Sequence, residues 1–335
     1  MKKLVNDPRS FVAESLAGFA RAHEDLVRVS TAPTFVVRSQ LVPGKVGIVS
    51  GGGSGHEPLH TGFVGRGMLD AAVPGEVFTS PTPDPILAAT RAVDQGAGVL
   101  YLVKNYTGDV LNFETAAEFA AAEGIPVRTV VIDDDVAVQN SEFTAGRRGV
   151  AGTLLIEKIV GAAAERGDGI DELETLATRL VASVRSMGVA IGAPTVPHSG
   201  KQSFELGADE IEFGIGIHGE RGRARGPMAS ADELTDRVLD AVLHDLPRKP
   251  GERMIVLVNG MGATPVAELY LVFRRVAERL DAAGVRIARS LVGSYVTSLD
   301  MAGFSVTLLT ADEELLDLWD APVRTAALSW GVSTK

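Results

Sequence analysis

The chain contains no cysteine. Disulfides, thiolate nucleophiles and cysteine metal sites are therefore excluded, and a cytoplasmic location fits. Positive charge is also scarce: 32 Lys and Arg stand against 43 Asp and Glu, a formal net charge of −11. That balance argues against nucleic acid or an anionic membrane as the main partner. No run approaches the ~18 unbroken apolar residues of a membrane span. The basic start, Met1-Lys2-Lys3, resembles a signal peptide, but Asn6, Asp7, Pro8 and Arg9 interrupt any apolar segment after it. Aromatics are few, at 5%. Ala, Val, Gly and Leu carry the apolar content, as in many helix-covered parallel sheets. No low-complexity linker is present.

What remains is an ordinary globular balance, 45% hydrophobic and 22% charged over 335 residues, enough for about two domains. Strand-like runs alternate with helical ones. Val46–Val49, Gly98–Val103 and Val127–Ile132 read as buried strands, Pro81–Asp94 as a turn feeding a helix, and Asn112–Glu123 as a helix. Thr153–Ala164 and Asp171–Met187 read as two further helices. Later come strands at Met254–Val258, Val285–Val292 and Ser305–Leu309, with helices at Val266–Ala283 and Glu313–Trp319. The expectation is α/β: two α/β domains, residues 1–185 and 186–335, each with a mostly parallel or mixed sheet flanked by helices.

Three segments carry chemistry. In Val46-Gly47-Ile48-Val49-Ser50-Gly51-Gly52-Gly53-Ser54-Gly55-His56-Glu57-Pro58, a strand runs into what reads as a glycine loop ending in a histidine. Ligands of open α/β sheets bind at such strand ends, and glycine lets the backbone approach a small molecule. A nucleotide is disfavoured. After Gly51 and Gly53 the dinucleotide fingerprint requires glycine where His56 stands, and the lysine of a P-loop is missing. A plain structural turn remains open. Lys104-Asn105-Tyr106-Thr107-Gly108-Asp109 follows the next strand; its lysine and aspartate can bind hydroxyls, and the aspartate can accept a proton.

The third segment is Ile211-Glu212-Phe213-Gly214-Ile215-Gly216-Ile217-His218-Gly219-Glu220. Alternation of Ile211, Phe213, Ile215 and Ile217 predicts a strand. It places Glu212, Gly214, Gly216 and His218 on the other face, where the glycines leave room for a ligand beside the histidine. A surface histidine at a strand end is the alternative. His56-Glu57-Pro58-Leu59-His60 formally matches a zincin motif, yet the proline opposes the regular helix such zinc sites use. No metal is expected. His23 and His244 read as surface residues, and His198 has no specified role.

Together and in this order, the strings Gly51–Pro58, Lys104–Asp109 and Gly214–Glu220 resemble the dihydroxyacetone-binding (K) subunit family of dihydroxyacetone kinases. Asn259-Gly260-Met261-Gly262 and Trp319-Asp320-Ala321-Pro322-Val323 also fit it. The resemblance implies a kinase subunit, usually a homodimer, that binds a short ketose covalently. It implies that His218 attacks the carbonyl to form a hemiaminal, that His56 assists proton transfer, and that Asp109 activates the hydroxyl to be phosphorylated. Gly53, Ser54, Gly55 and Lys104 would line the pocket with Asp109. No cofactor is implied in this chain. ADP or ATP with Mg would sit on a separate nucleotide-binding L subunit, charged either by ATP or by a phosphotransferase-system phosphocarrier (M subunit). Because the sequence ends at Lys335, the nucleotide domain is expected on a partner. The competing implication is a non-enzymatic ketose-binding co-activator of a transcription regulator.

Overall fold

The computed structural model describes residues 2–138, 145–246 and 249–332. Strands β1 (Val27–Thr31), β2 (Thr34–Arg38), β3 (Gly47–Ser54), β4 (Ala71–Val77), β5 (Val99–Lys104) and β6 (Val127–Ile132) form a first six-stranded sheet in the order β1-β2-β4-β3-β5-β6. Its centre is parallel: β3 pairs with β4 and β5, and β5 with β6. A second six-stranded sheet contains β7 (Val184–Gly192), β8 (Glu210–Phe213), β9 (Ala224–Pro227), β10 (Arg253–Gly260), β11 (Arg286–Gly293) and β12 (Ala302–Thr310), in the order β11-β10-β12-β7-β8-β9. Only β10 and β11 run parallel there; the other pairings are antiparallel. The expected α/β class with mixed sheets is what the structure has.

Alternation of side chains explains how helices cover both sheets. In the first sheet Val49, Val73, Tyr101 and Val103 face one way, against α2 (Pro83–Val93) and α3 (Thr107–Ala122). Ile48, Ala72, Leu100 and Leu102 face the other way, into the largest core. In the second sheet Met254, Val256 and Val258 face α6 (Ala231–Asp245) and α7 (Val266–Ala282). Ile255, Leu257 and Leu309 turn back into that same largest core.

Between the sheets lie α4 (Gly152–Arg166) and α5 (Ile170–Ser183), with α1 (Phe11–Ala22) and α8 (Glu313–Asp320) contributing to the same core. Residues 152–164 of α4 are all buried. Leu154, Leu155, Ile156, Ile159 and Val160 each contribute about 1.5–3 kcal/mol by burial. That sum offsets the several kcal/mol it costs to bury each of Glu157 and Lys158, provided each charge finds a partner. Lys158 does: it donates to the Leu318 carbonyl at 2.8 Å. The partner of Glu157 belongs to the site described below.

Several sequence expectations need correction. The glycine run is not a loop: β3 continues to Ser54, with Gly51, Gly52 and Gly53 paired to Val73, Pro74 and Gly75 of β4. α3 starts at Thr107 rather than near Asn112, so Asp109 lies in its first turn. The helix expected to reach Met187 ends at Ser183, and Val184–Met187 opens β7. The strand expected through Ile217 ends at Phe213 because Gly214, at φ +72°, turns the chain. Ile215 and Ile217 are buried all the same.

Candidate active site

The site lies at the seam between the sheets, beyond the carboxyl ends of β3 and β5. The first sheet supplies three of its side chains. Lys104 is the last residue of β5 and is fully buried. Asp109 is buried at the start of α3, with Oδ1 lacking a hydrogen-bond partner. His56 follows β3 and is fully buried. Gly52 explains one part of the glycine run. A Cβ there would lie 2.7 Å from Lys104 Nζ and 3.3 Å from Asp109 Oδ2, so these two groups share the notch that glycine leaves. Gly53 has another reason: a Cβ would stand 2.6 Å from the Thr79 nitrogen, so it permits backbone packing rather than ligand approach. Ser54 spends its hydroxyl on the Gly75 carbonyl at 2.6 Å. A Cβ on Gly55 would press on the Phe78 ring.

The second sheet supplies loops. Asn259, at the end of β10, accepts from the Tyr295 and Val296 amides at 2.9 Å and donates to the Val296 carbonyl at 2.7 Å. This fixes the segment after β11, which clasps the first half: Leu299 N donates to Gly55 O at 2.7 Å, and His56 Nδ1 lies 2.8 Å from Thr297 O. A carbonyl only accepts, so Nδ1 carries the ring hydrogen and Nε2 presents a bare lone pair. That Nε2 is buried without a partner. Burial, with His218 and the Lys104 ammonium close by, lowers the His56 pKa well below the usual histidine value, so the ring is neutral.

Residues 214–223 form an excursion between β8 and β9, tied at its base by Gly214 N to Gly188 O at 2.7 Å and Arg223 N to Phe213 O at 2.7 Å. Buried Arg148 donates to Asp135 Oδ2 at 2.8 Å and to Gly214 O at 2.6 Å, so the first half holds the excursion in place. Ile217 anchors the excursion in the central core. His218 is thereby delivered to His56, with ring centroids 4.7 Å apart, and to Tyr106 and Phe78, at 4.5 and 5.4 Å, all edge-on.

His218 retains 17% exposure, and a cleft of about 640 Å³ opens beside it, lined in part by Phe204, Glu220 and Arg221. Glu220 holds it: Oε1 lies 3.4 Å from His218 Nδ1, and Oε2 accepts the His218 amide at 2.9 Å. Burial opposes ionisation of Glu220, but the hydrogen bond to His218 and the nearby Arg148 outweigh it and bring Glu220 down to about 2. The room expected at Gly216 for a ligand is taken by this carboxylate, which a Cβ on Gly216 would overlap.

The second histidine of the zincin-like string does something else. His60 Nε2 lies 2.6 Å from Lys104 Nζ, and its Nδ1 lies 2.6 Å from Glu157 Oε1 and 3.1 Å from Ser50 Oγ. No group of three or more residues suited to hold a metal occurs among the described residues. His198 and His244 are exposed and His23 is half-buried beside Phe19; none of the three is among the groups that meet at the site. Glu220, Tyr106, Phe78, Thr297, His60 and Glu157 had no assigned part from sequence. Glu157 had a signal, since a Glu-Lys pair inside Leu-Leu-Ile-Glu-Lys-Ile-Val interrupts an otherwise apolar helix.

The fold and the site define a two-sheet α/β protein with a buried polar centre at the seam of its sheets. A family model described as the Dak1 domain matches residues 17–327. The chain is 52% identical to the dihydroxyacetone-binding subunit DhaK of the PEP-dependent dihydroxyacetone kinase of Escherichia coli strain K12, covering 99% of this chain and 100% of that one. Its structure matches the dihydroxyacetone kinase of C. freundii with a TM-score of 0.90 at 34% identity, covering 100% of this chain and 63% of that one. It also matches the dihydroxyacetone kinase operon co-activator DhaQ, with a TM-score of 0.89 at 38% identity over 94% of this chain and 97% of that one. The chain belongs to the Dak1 family. No helix among the described residues is long and apolar enough to cross a membrane.

Proposed function

We propose that the chain is the substrate-binding subunit of a dihydroxyacetone kinase, holding dihydroxyacetone as a hemiaminal on His218. The observation that carries this reading is the pair of imidazoles across the seam, each with Nδ1 tied to an acceptor, Thr297 O or Glu220, so that each Nε2 is free. A neutral imidazole is a competent nucleophile. Attack of His218 Nε2 on the carbonyl carbon moves the carbonyl π pair onto oxygen. The oxygen takes up a proton and His218 gives up its Nδ1 proton, so the adduct gains no charge. Glu220 stabilises the positive charge that builds on the ring meanwhile. His56 Nε2 accepts a hydrogen bond from the bound substrate and assists proton transfer. Lys104 Nζ donates to a substrate hydroxyl at the Gly52 notch, and Asp109 accepts the proton of the hydroxyl that receives phosphate. Gly53, Ser54 and Gly55 form the adjoining wall. A covalent test for a carbonyl rejects glycerol, which shares only the hydroxyls.

In this reading residues 1–185 and 186–335 are the two domains that meet at the site, and the chain acts in the cytoplasm. The nucleotide, ADP or ATP with Mg, belongs to a partner L subunit. The name of the E. coli relative favours phosphoenolpyruvate as the ultimate donor, through an M-subunit phosphocarrier acting on L. A homodimer is supported by β11, a sheet edge beside α7, on which Val266, Tyr270 and Leu271 are exposed. The likeness to a co-activator keeps a second reading, ketose sensing without phosphorylation. Turnover with purified L subunit separates the two.

Native mass spectrometry tests the covalent step. One ketose mass per chain is expected with dihydroxyacetone and none with glycerol. Persistence of the adduct in His218→Ala would remove His218 from its role.

A further inference from the structure

Beneath the pocket, Ser50, His60 and Glu157 form a buried chain that ends on Lys104, and its hydrogen-bond directions follow from the acceptors available. Ser50 has one hydroxyl hydrogen and spends it on the Leu102 carbonyl at 2.7 Å. Its oxygen can therefore only accept from His60 Nδ1, 3.1 Å away. So Nδ1 carries the ring hydrogen and donates to Ser50 Oγ and to Glu157 Oε1 at 2.6 Å. Nε2 is left bare and accepts from Lys104 Nζ at 2.6 Å. A second Nζ hydrogen goes to the Gly51 carbonyl at 3.3 Å. The third points to the notch at Gly52, where Asp109 also faces.

We propose that His60 and Glu157 are positioning residues for Lys104: His60 fixes the direction of its ammonium, and Glu157, through His60, supplies the buried counter-charge that keeps it a donor to the substrate. This rests on the placement of Lys104 in the pocket proposed above. The charged groups facing Lys104 are Asp109 from α3 and Glu157 from α4, with neutral His56 and His60 from the segment after β3; the backbone of Gly149 packs against it from the remaining side. Burial alone lowers the Lys104 pKa, and Asp109 and Glu157 oppose that fall. Burial raises Glu157 to about 8, with Lys104 and Ser50 opposing that rise, so its carboxylate forms on the alkaline side, where Lys104 would otherwise lose its proton. Each charge thus depends on the other.

The test is the pH dependence of dihydroxyacetone affinity, measured calorimetrically from pH 6 to 10 on the full chain. Glu157→Gln keeps the shape but removes the counter-charge. Its alkaline limb should move down by about one pH unit or more, with affinity below the limb changed less than about threefold. His60→Leu should weaken binding about tenfold at every pH. His60→Gln, which can still accept from Lys104 and donate to Glu157, should recover most of it. Should Glu157→Gln titrate like the parent while Lys104→Met binds at least about tenfold more weakly, the relay is wrong and the pocket stands. Should Lys104→Met bind normally while the His218 adduct still forms, Lys104 is outside the pocket and the relay falls with it. The parent protein gives a check free of folding effects: 15N spectra of labelled histidine should show His60 as the Nδ1–H tautomer, and an Nε2–H signal would overturn the proposal.

Discussion

The two sheets contribute to the site in different ways. The first brings Lys104, Asp109 and the Gly52 notch on regular elements: the last residue of β5, the first turn of α3 and the end of β3. Their positions follow from parallel strand pairing and need little else. The second brings its groups on excursions, His218 on the 214–223 segment and Thr297 on the turn after β11. Each excursion requires its own braces: Glu220, Ile217 and Arg148 for one, Asn259 for the other. Two residues at positive φ, Phe78 at +56° and Leu299 at +54°, both bring their side chains against Gly55, where the halves touch. Strain of this kind persists only where surrounding structure over-determines it. Under the proposed function, the rigid half would recognise the hydroxyls and the braced half would deliver the nucleophile.

The sharpest way to break this division is to remove Asp109 while leaving the excursions intact. Asp109→Asn should retain the ketose adduct but lose about a hundredfold or more of phosphorylation when L subunit is supplied. Equal loss of adduct and turnover would show that the two halves are not separable. Next come two glycine substitutions, one on each side. Gly52→Ala puts a methyl between Lys104 and Asp109 at φ +152°, and should cost ~1–3 kcal/mol in stability. It should also raise the ketose concentration needed for half-occupancy. Gly216→Ala displaces Glu220 from His218 and should slow adduct formation with little change in melting temperature. Identical profiles for the two variants would end the comparison.

The smallest effect is on stability against pH. His56 and His60 are neutral in the fold with pKa values well below 6.5, depressed first by burial, whereas both titrate normally when unfolded. The unfolded chain therefore binds more protons, so the contribution of each is complete above about 6.5 and is lost as pH falls. The slope is at most about 1.4 kcal/mol per pH unit for each group. Glu220, depressed to about 2, adds a further loss only below about 4.5. Glu157, raised to about 8 by burial, and Asp135, raised to about 6, bind their protons more tightly in the fold and contribute with the opposite sign across the same interval. The histidine contribution is therefore read as a difference: from pH 7.5 to 5.5 the urea midpoint of the parent should fall relative to that of His60→Leu. Parallel profiles for the parent and His60→Leu would mean that the buried His60 ring carries a proton.

Much of the site was legible in the chain because its residues sit next to strong local signals. Apolar runs marked β3 and β5, and the residues after them were singled out as site candidates without reference to tertiary contacts. The glycine run was legible as unusual, but its reasons were not. Gly53 and Gly55 answer to the packing of residues 78 and 79, and Gly216 to the Glu220 carboxylate; neither neighbour is implied by local sequence. The alternation through Ile217 misled because isoleucines that enter a core from a turn read like those that enter from a strand.

The sequence by itself determined the α/β class, the order of the elements and the three segments that carry chemistry, because hydrophobic period and glycine placement act over a few residues. Only the tertiary structure decided that the helices between the sheets serve both, that His56 and His60 have different partners, and that Glu157, 97 residues from His60, completes the chain to Lys104. Those outcomes depend on which groups meet once water is excluded, and burial of a charge is tolerated only where such a partner arrives.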